Sequence, residues 1–93
     1  MIQLALRPRL ADKARLRFDR HSGQHMLLYP EKGLALNEAG TATVKLCTGD
    51  RTITEIVDSL SQRWLKTPRA RIEREVLEFL EQLDRRGLIQ CEP

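Results

Sequence analysis

The sequence predicts an α+β domain in which three short antiparallel strands precede three helices. Three observations carry this. Residues 14–20 alternate apolar and polar side chains, as a strand with one wet face does, and turn residues set off two further short apolar runs before position 37. Beyond Asn37 the apolar residues recur every three or four positions, which is helical spacing. Between the two regimes stands Asn37, a residue type whose side-chain oxygen accepts from the free amides of a first helical turn.

At 93 residues the chain is long enough for one modest core, so residues 1–93 form a single domain. It divides into an extended basic arm (1–13), a three-stranded sheet (14–36) and a three-helix portion (37–90). The arm holds Arg7-Pro8-Arg9 and no periodicity. In the first strand Ala14, Leu16 and Phe18 point one way, and Arg15, Arg17 and Asp19 the other. His21-Ser22-Gly23-Gln24 supplies a turn, His25 to Tyr29 returns, and Leu34-Ala35-Leu36 is the third strand.

The first helix, Asn37 to Cys47, is weak by intrinsic preference, because Gly40, Thr41, Thr43 and Val44 interrupt it. Burial of Ala39, Ala42 and Leu46 is expected to hold it. Thr52-Ile53-Thr54-Glu55 reads as a capping box for the second helix, whose stripe is Ile53, Ile56, Val57, Leu60 and Trp64. Thr67 is the expected cap of the last helix, with Pro68 at its first position. Ile72, Val76, Phe79, Leu80 and Leu83 form its buried stripe, and Gly87 ends it. Leu88-Ile89-Gln90 closes as a short extended piece. On the wet face Arg71/Glu75, Arg74/Glu78 and Glu81/Arg85 sit at pairing distance, each worth only ~0.2–0.5 kcal/mol. Leu77 lies off the stripe. It is either an ordinary exposed leucine or the lining of a groove.

This element order is that of a winged helix-turn-helix, a fold that commonly binds DNA. The charge layout opposes that use. Glu73, Glu75, Glu78, Glu81 and Asp84 offset the arginines of the last helix, so phosphates gain little from it. The net charge of +3 sits on the arm and hairpin, where Arg7, Arg9, Lys13, Arg15, Arg17 and Arg20 face only Asp12 and Asp19. No membrane-spanning run or signal peptide is present, and a cytoplasmic location is expected. His21, His25, Cys47 and Cys91 have no zinc-like spacing, and no phosphate loop or nucleophile elbow occurs, so neither a metal, a cofactor nor enzymatic activity is expected. A Cys47–Cys91 disulfide is an alternative to free thiols, which are the favoured state.

Peptide binding demands less. A short third strand at a sheet edge leaves amides and carbonyls to pair with a guest strand, and a neighbouring helix makes a second wall. The competing reading, that Leu34 to Leu36 is a plain connecting strand covered by its own helices, stands level on pattern alone.

At Tyr29-Pro30-Glu31, Leu36-Asn37-Glu38 and the run Leu46-Cys47-Thr48-Gly49-Asp50-Arg51-Thr52 the sequence resembles the PqqD family of pyrroloquinoline quinone (PQQ) biosynthesis. The similarity continues through Ile53 to Val57, Phe79 to Leu83 and Gly87-Leu88-Ile89, and departs at Ala39, where the family often has a hydroxyl residue. The resemblance implies an adaptor that binds the leader of a ribosomally made precursor peptide. It presents that peptide to a radical SAM enzyme, which cross-links a Glu and a Tyr. The iron–sulfur cluster and S-adenosylmethionine belong to that enzyme. The resemblance places the leader along the third strand, here Lys32, Gly33, Leu34, Ala35 and Leu36. It places the opposing wall on the last helix, here Arg69, Ile72, Glu73, Val76, Leu77 and Leu80. The expected partners are therefore the precursor peptide of PQQ and the radical SAM enzyme, with no nucleic acid and no membrane. The chain is expected as a monomer or homodimer. The rival readings are a winged-helix DNA-binding protein and a structural subunit of an enzyme.

Overall fold

The computed structural model describes residues 2–30 and 32–93. Met1 of the arm and Glu31 of the Tyr29-Pro30-Glu31 motif lie outside the described residues. The elements run β1 (Arg7–Leu10), β2 (Arg15–Asp19), β3 (Gln24–Tyr29), β4 (Lys32–Leu36), α1 (Glu38–Leu46), α2 (Ile53–Arg63), α3 (Arg69–Arg85) and β5 (Ile89–Glu92). Strands β2, β3 and β4 form one antiparallel sheet in that order, and three helices follow, so the α+β expectation holds. Leu27 and Leu36 turn one face of this sheet into a core shared with Ile53, Ile56, Leu60, Val76 and Leu80.

The first residues differ most from the sequence reading. What reads as a free arm contains β1, which pairs antiparallel with β5 from Arg7↔Glu92 to Leu10↔Ile89. On its other side the Gly49 amide donates to the Pro8 carbonyl at 2.9 Å, and the Leu10 amide donates to the Cys47 carbonyl at 3.3 Å. Further upstream, the Ile53 and Thr54 amides donate to the Leu6 and Leu4 carbonyls at 3.0 and 3.1 Å. Ile2 and Pro8 are buried. The segment is therefore held on both sides along β1, and its backbone serves amides of the α2 N-terminus.

Local signals account for the helix boundaries. Asn37 Oδ1 accepts from the Gly40 amide at 2.7 Å and caps α1. The reciprocal box at α2 is complete: the Thr52 amide donates to Glu55 Oε1 at 2.8 Å, and the Glu55 amide donates to Thr52 Oγ1 at 3.2 Å. Those bonds hold the Glu55 carboxyl below its usual range, because they favour its charged form. Helix α3 starts one residue later than its sequence suggests. Pro68 occupies the cap position without a side-chain bond, and its carbonyl accepts from the Arg71 and Ile72 amides. The Thr67 amide instead donates to the Trp64 carbonyl, so Thr67 belongs to the preceding turn. Gly87, with φ of 69°, ends α3 in the left-handed conformation as expected.

In α1 the buried set is Gly40, Thr41, Ala42, Thr43 and Val44, while Ala39 is exposed and Leu46 half-buried. The threonines tolerate burial where hydroxyls find a partner. Thr43 Oγ1 donates to the Ala39 carbonyl at 2.8 Å, one turn back.

Candidate functional site

The sheet ends on β4. It pairs with β3 from His25↔Leu36 to Tyr29↔Lys32, and no strand lies on its other side among the described residues. An antiparallel ladder turns the amide and carbonyl of every second residue outward. The hairpin closes on the Tyr29↔Lys32 pair across two residues, so the outward groups of β4 belong to Gly33 and Ala35. Both residues are exposed, Leu34 is half-buried and Leu36 is buried.

Helix α3 runs beside this edge. A shallow hollow of about 380 Å³ separates them, lined by Leu34, Ala35, Leu36 and Asn37 on one side, Phe79 and Gln82 on the other, and Gln24 at one end. Phe79 lies close to Gly40 of α1: a methyl added there would stand 3.4 Å from Phe79 Cζ, and a tighter 3.1 Å from the capping Asn37 Oδ1. At the far end Arg86 Nη1 donates to the Tyr29 hydroxyl at 3.3 Å, tying the close of α3 to the end of β3. The result is an unpaired strand edge facing an apolar ring, with primary amides at its rim.

The five strand residues expected from the sequence, Lys32 to Leu36, coincide with β4. The helix residues are distributed differently. Ile72, Val76 and Leu80 are buried in the core beneath the groove, at 6%, 4% and 0% exposure. Arg69 is engaged with Asp58 of α2, and Glu73 does not line the β4 hollow. Leu77 packs against the core and lines a separate hollow with Glu78, Glu81, Gln82 and Arg85. On that flank Glu81 Oε1 accepts from the Ile2 amide at 3.4 Å. At about 100° per residue, Phe79 and Leu77 lie on opposite sides of Leu80, and the strand stands on the Phe79 side. Phe79 and Gln82, which the sequence reading does not name for the wall, are the α3 residues that line the β4 hollow. The spacing of Phe79 fits the apolar stripe, so the pattern alone assigns it to the core.

The remaining candidates are peripheral. His25 is half-buried and meets Phe18 edge-on, with ring centroids 5.1 Å apart. The exposed His21 lies in a turn organised by Asp19, whose carboxylate accepts from the His21 amide and the Ser22 hydroxyl. Cys47 and Cys91 are free thiols. Burial pushes the Cys47 thiol up to about 12, with the neighbouring Cys91 adding to the effect. Among the described residues no three His, Cys, Asp or Glu side chains are grouped to hold a metal ion, and no helix is long and apolar enough to cross a membrane.

Comparison with known proteins gives the family of the chain. The family model described as "Coenzyme PQQ synthesis protein D (PqqD)" matches residues 24–89, from the start of β3 to the start of β5. The chain belongs to the PqqD family. A "PqqA binding protein" of Rhodopseudomonas palustris strain TIE-1 is 36% identical over 83 residues, covering 89% of this chain and 80% of that one. The "Bifunctional coenzyme PQQ synthesis protein C/D" of Methylorubrum extorquens is 35% identical over 83 residues, 89% of this chain but 22% of the longer protein. The solution NMR structure of the PqqD truncation of Methylobacterium extorquens PqqCD, described as a stand-alone recognition element for ribosomally synthesized and post-translationally modified peptides, superposes with a TM-score of 0.81. It is 31% identical and covers 97% of this chain and 95% of that one. The PqqD match begins at β3, so β1 and β2 lie outside the matched segment.

Proposed function

We propose that this chain binds the PqqA precursor peptide by strand addition to β4 and delivers it to the radical SAM enzyme of PQQ biosynthesis. It performs no chemistry of its own. The observation that carries this reading is the open outer side of β4 beside the Phe79 face of α3. Relatives described as PqqA binding proteins supply the ligand class. The bifunctional relative supports work beside another protein of the same pathway.

Magnitudes decide what the groove must do. Each backbone hydrogen bond to a guest strand contributes ~0.5–1.5 kcal/mol net. Ordering a disordered peptide costs ~1–2 kcal/mol per residue in backbone entropy. Strand pairing alone therefore comes out near zero. Affinity and selectivity must come from side chains that leave water between β4 and α3, at roughly 25 cal/mol per Å² of apolar surface buried.

Duplex binding by α3 has less support. Three of its four arginines are engaged with carboxylates: Arg71 with Glu75 at 3.5 Å, Arg85 with Glu81 at 3.9 Å, and Arg69 with Asp58, whereas the Arg74/Glu78 pair expected from the spacing is not formed. Titration of the purified chain with synthetic PqqA peptide, followed by calorimetry, tests the proposal. Saturable one-to-one binding that persists at raised salt is expected. Absence of binding, alongside a salt-dependent shift of duplex DNA in a gel, would replace it with the nucleic-acid reading.

A further inference from the structure

A second hollow lies along the same flank of α3, toward the helix N-terminus. It measures about 210 Å³ and is floored by Leu60, Ile72 and Val76, with Trp64 and Ala39 as walls. The Arg71–Glu75 pair stands at its rim. Both hollows open along one flank of α3. Gln82 and Phe79 border the first; Glu75, Ile72 and Arg71 border the second one to two turns further toward the N-terminus. At ~1.5 Å per residue, Gln82 to Arg71 spans roughly 16 Å of helix. On the opposite side Leu36 and Asn37 line the first hollow, and Ala39, two residues further along the chain, lines the second.

We propose that the second hollow is an anchor site for one uncharged apolar side chain, of leucine or phenylalanine size, carried by the same peptide just beyond its strand-paired segment. The proposal rests on the strand-addition reading above and deepens it. The floor is apolar, and the charges at the rim already face each other, so a charged guest side chain gains no free partner there. Trp64 is held in place for such a contact: the Arg63 guanidinium stands 4.7 Å from its ring, and Arg63 is bonded to Glu38 at 2.9 Å. An extended peptide advances ~3.3 Å per residue, so the anchor falls a few residues past the one opposite Leu36.

Trp64 is the only tryptophan in the chain and reports on the hollow directly. Synthetic PqqA peptide is titrated into the protein while heat and Trp64 emission are recorded in parallel. The account expects a blue-shifted emission that saturates with the calorimetric curve. One apolar position in an alanine scan of the peptide should abolish the shift. Ala39→Phe, at an exposed position, fills the hollow from the α1 side and should weaken binding about tenfold, the loss of one buried apolar side chain. Peptide binding with unchanged emission, or Ala39→Phe binding like the wild type, overturns the anchor and leaves strand addition standing. Emission that shifts with protein concentration alone also overturns it, since the occupant is then a second copy. No calorimetric binding at all removes both readings.

Discussion

The chain contains two short strands that are alike in length and opposite in fate. Strand β1 is enclosed: β5 takes one side, and the backbone from Cys47 to Gly49 takes the other. Strand β4 has β3 on one side and, among the described residues, no strand on the other. The same backbone chemistry thus contributes stability in one place and capacity for a guest in the other. What differs is the covering segment. Downstream of β4 the chain turns into α1 at Asn37, which carries it away from the edge.

Proline at matched positions should break this comparison most sharply. Ala35→Pro removes an outward amide that has no partner among the described residues. The fold should survive with an unchanged circular dichroism spectrum, while affinity for PqqA peptide falls by a hundredfold or more, on the order of two lost backbone bonds plus the distorted register. Leu10→Pro removes the amide that donates to the Cys47 carbonyl and disturbs a side chain packed on the core. Its effect should fall on stability. A cost of ~2 kcal/mol or more lowers the melting temperature by roughly 10 °C for a domain of this size.

The two flanks of α3 extend the comparison with a smaller effect. Phe79→Ala should weaken peptide binding about tenfold by calorimetry, since the ring borders the β4 hollow. Leu77→Ala should change affinity less than twofold, because Leu77 lines a different surface. Equal losses would mean that the peptide crosses the helix.

The smallest effect concerns the enclosed region. The Cys47 thiol is raised from 9.0 to about 12 in the folded protein, so it stays neutral where the unfolded chain already ionises. Its contribution is complete below the unfolded value near 9 and is lost as pH rises through about 12. Melting temperature should therefore decline across that window. Cys47→Ala, less stable at neutral pH, should flatten the decline. Alkylation at neutral pH should label Cys91 well before Cys47.

Much of the fold was legible because it is written in local chemistry. The Thr52/Glu55 box, the Asn37 cap and the Gly87 stop are each decided by residues within one turn. The β2–β3–β4 order follows from the alternation in β2 and from the short turns that set off the two runs after it. Strand β1 was not legible. It carries Pro8 and no alternation, and its partner β5 lies at the opposite end of the sequence. No local signal joins them.

The site divides along the same line. Pattern alone gave Leu34 to Leu36 as a third strand and left an open edge level with a strand covered by its own helices; the extent Lys32 to Leu36 came from the family resemblance. The facing flank of α3 was not legible in the pattern. A helical stripe centred near Leu80 has two flanks, and periodicity does not say which one meets the strand. That depends on how α1 and α3 pack, down to the closeness of Gly40 to Phe79. Phe79 fits the apolar stripe, so its partial exposure beside β4 left no mark on the pattern.

The most direct test of the account is residue-resolved amide exchange of the protein with and without PqqA peptide. The amides of Gly33 and Ala35 face outward from the ladder and should exchange fast in the free protein, then become protected when the peptide saturates. Unchanged exchange at both, with new protection along β2 or the Leu77 flank of α3, would contradict strand addition at β4.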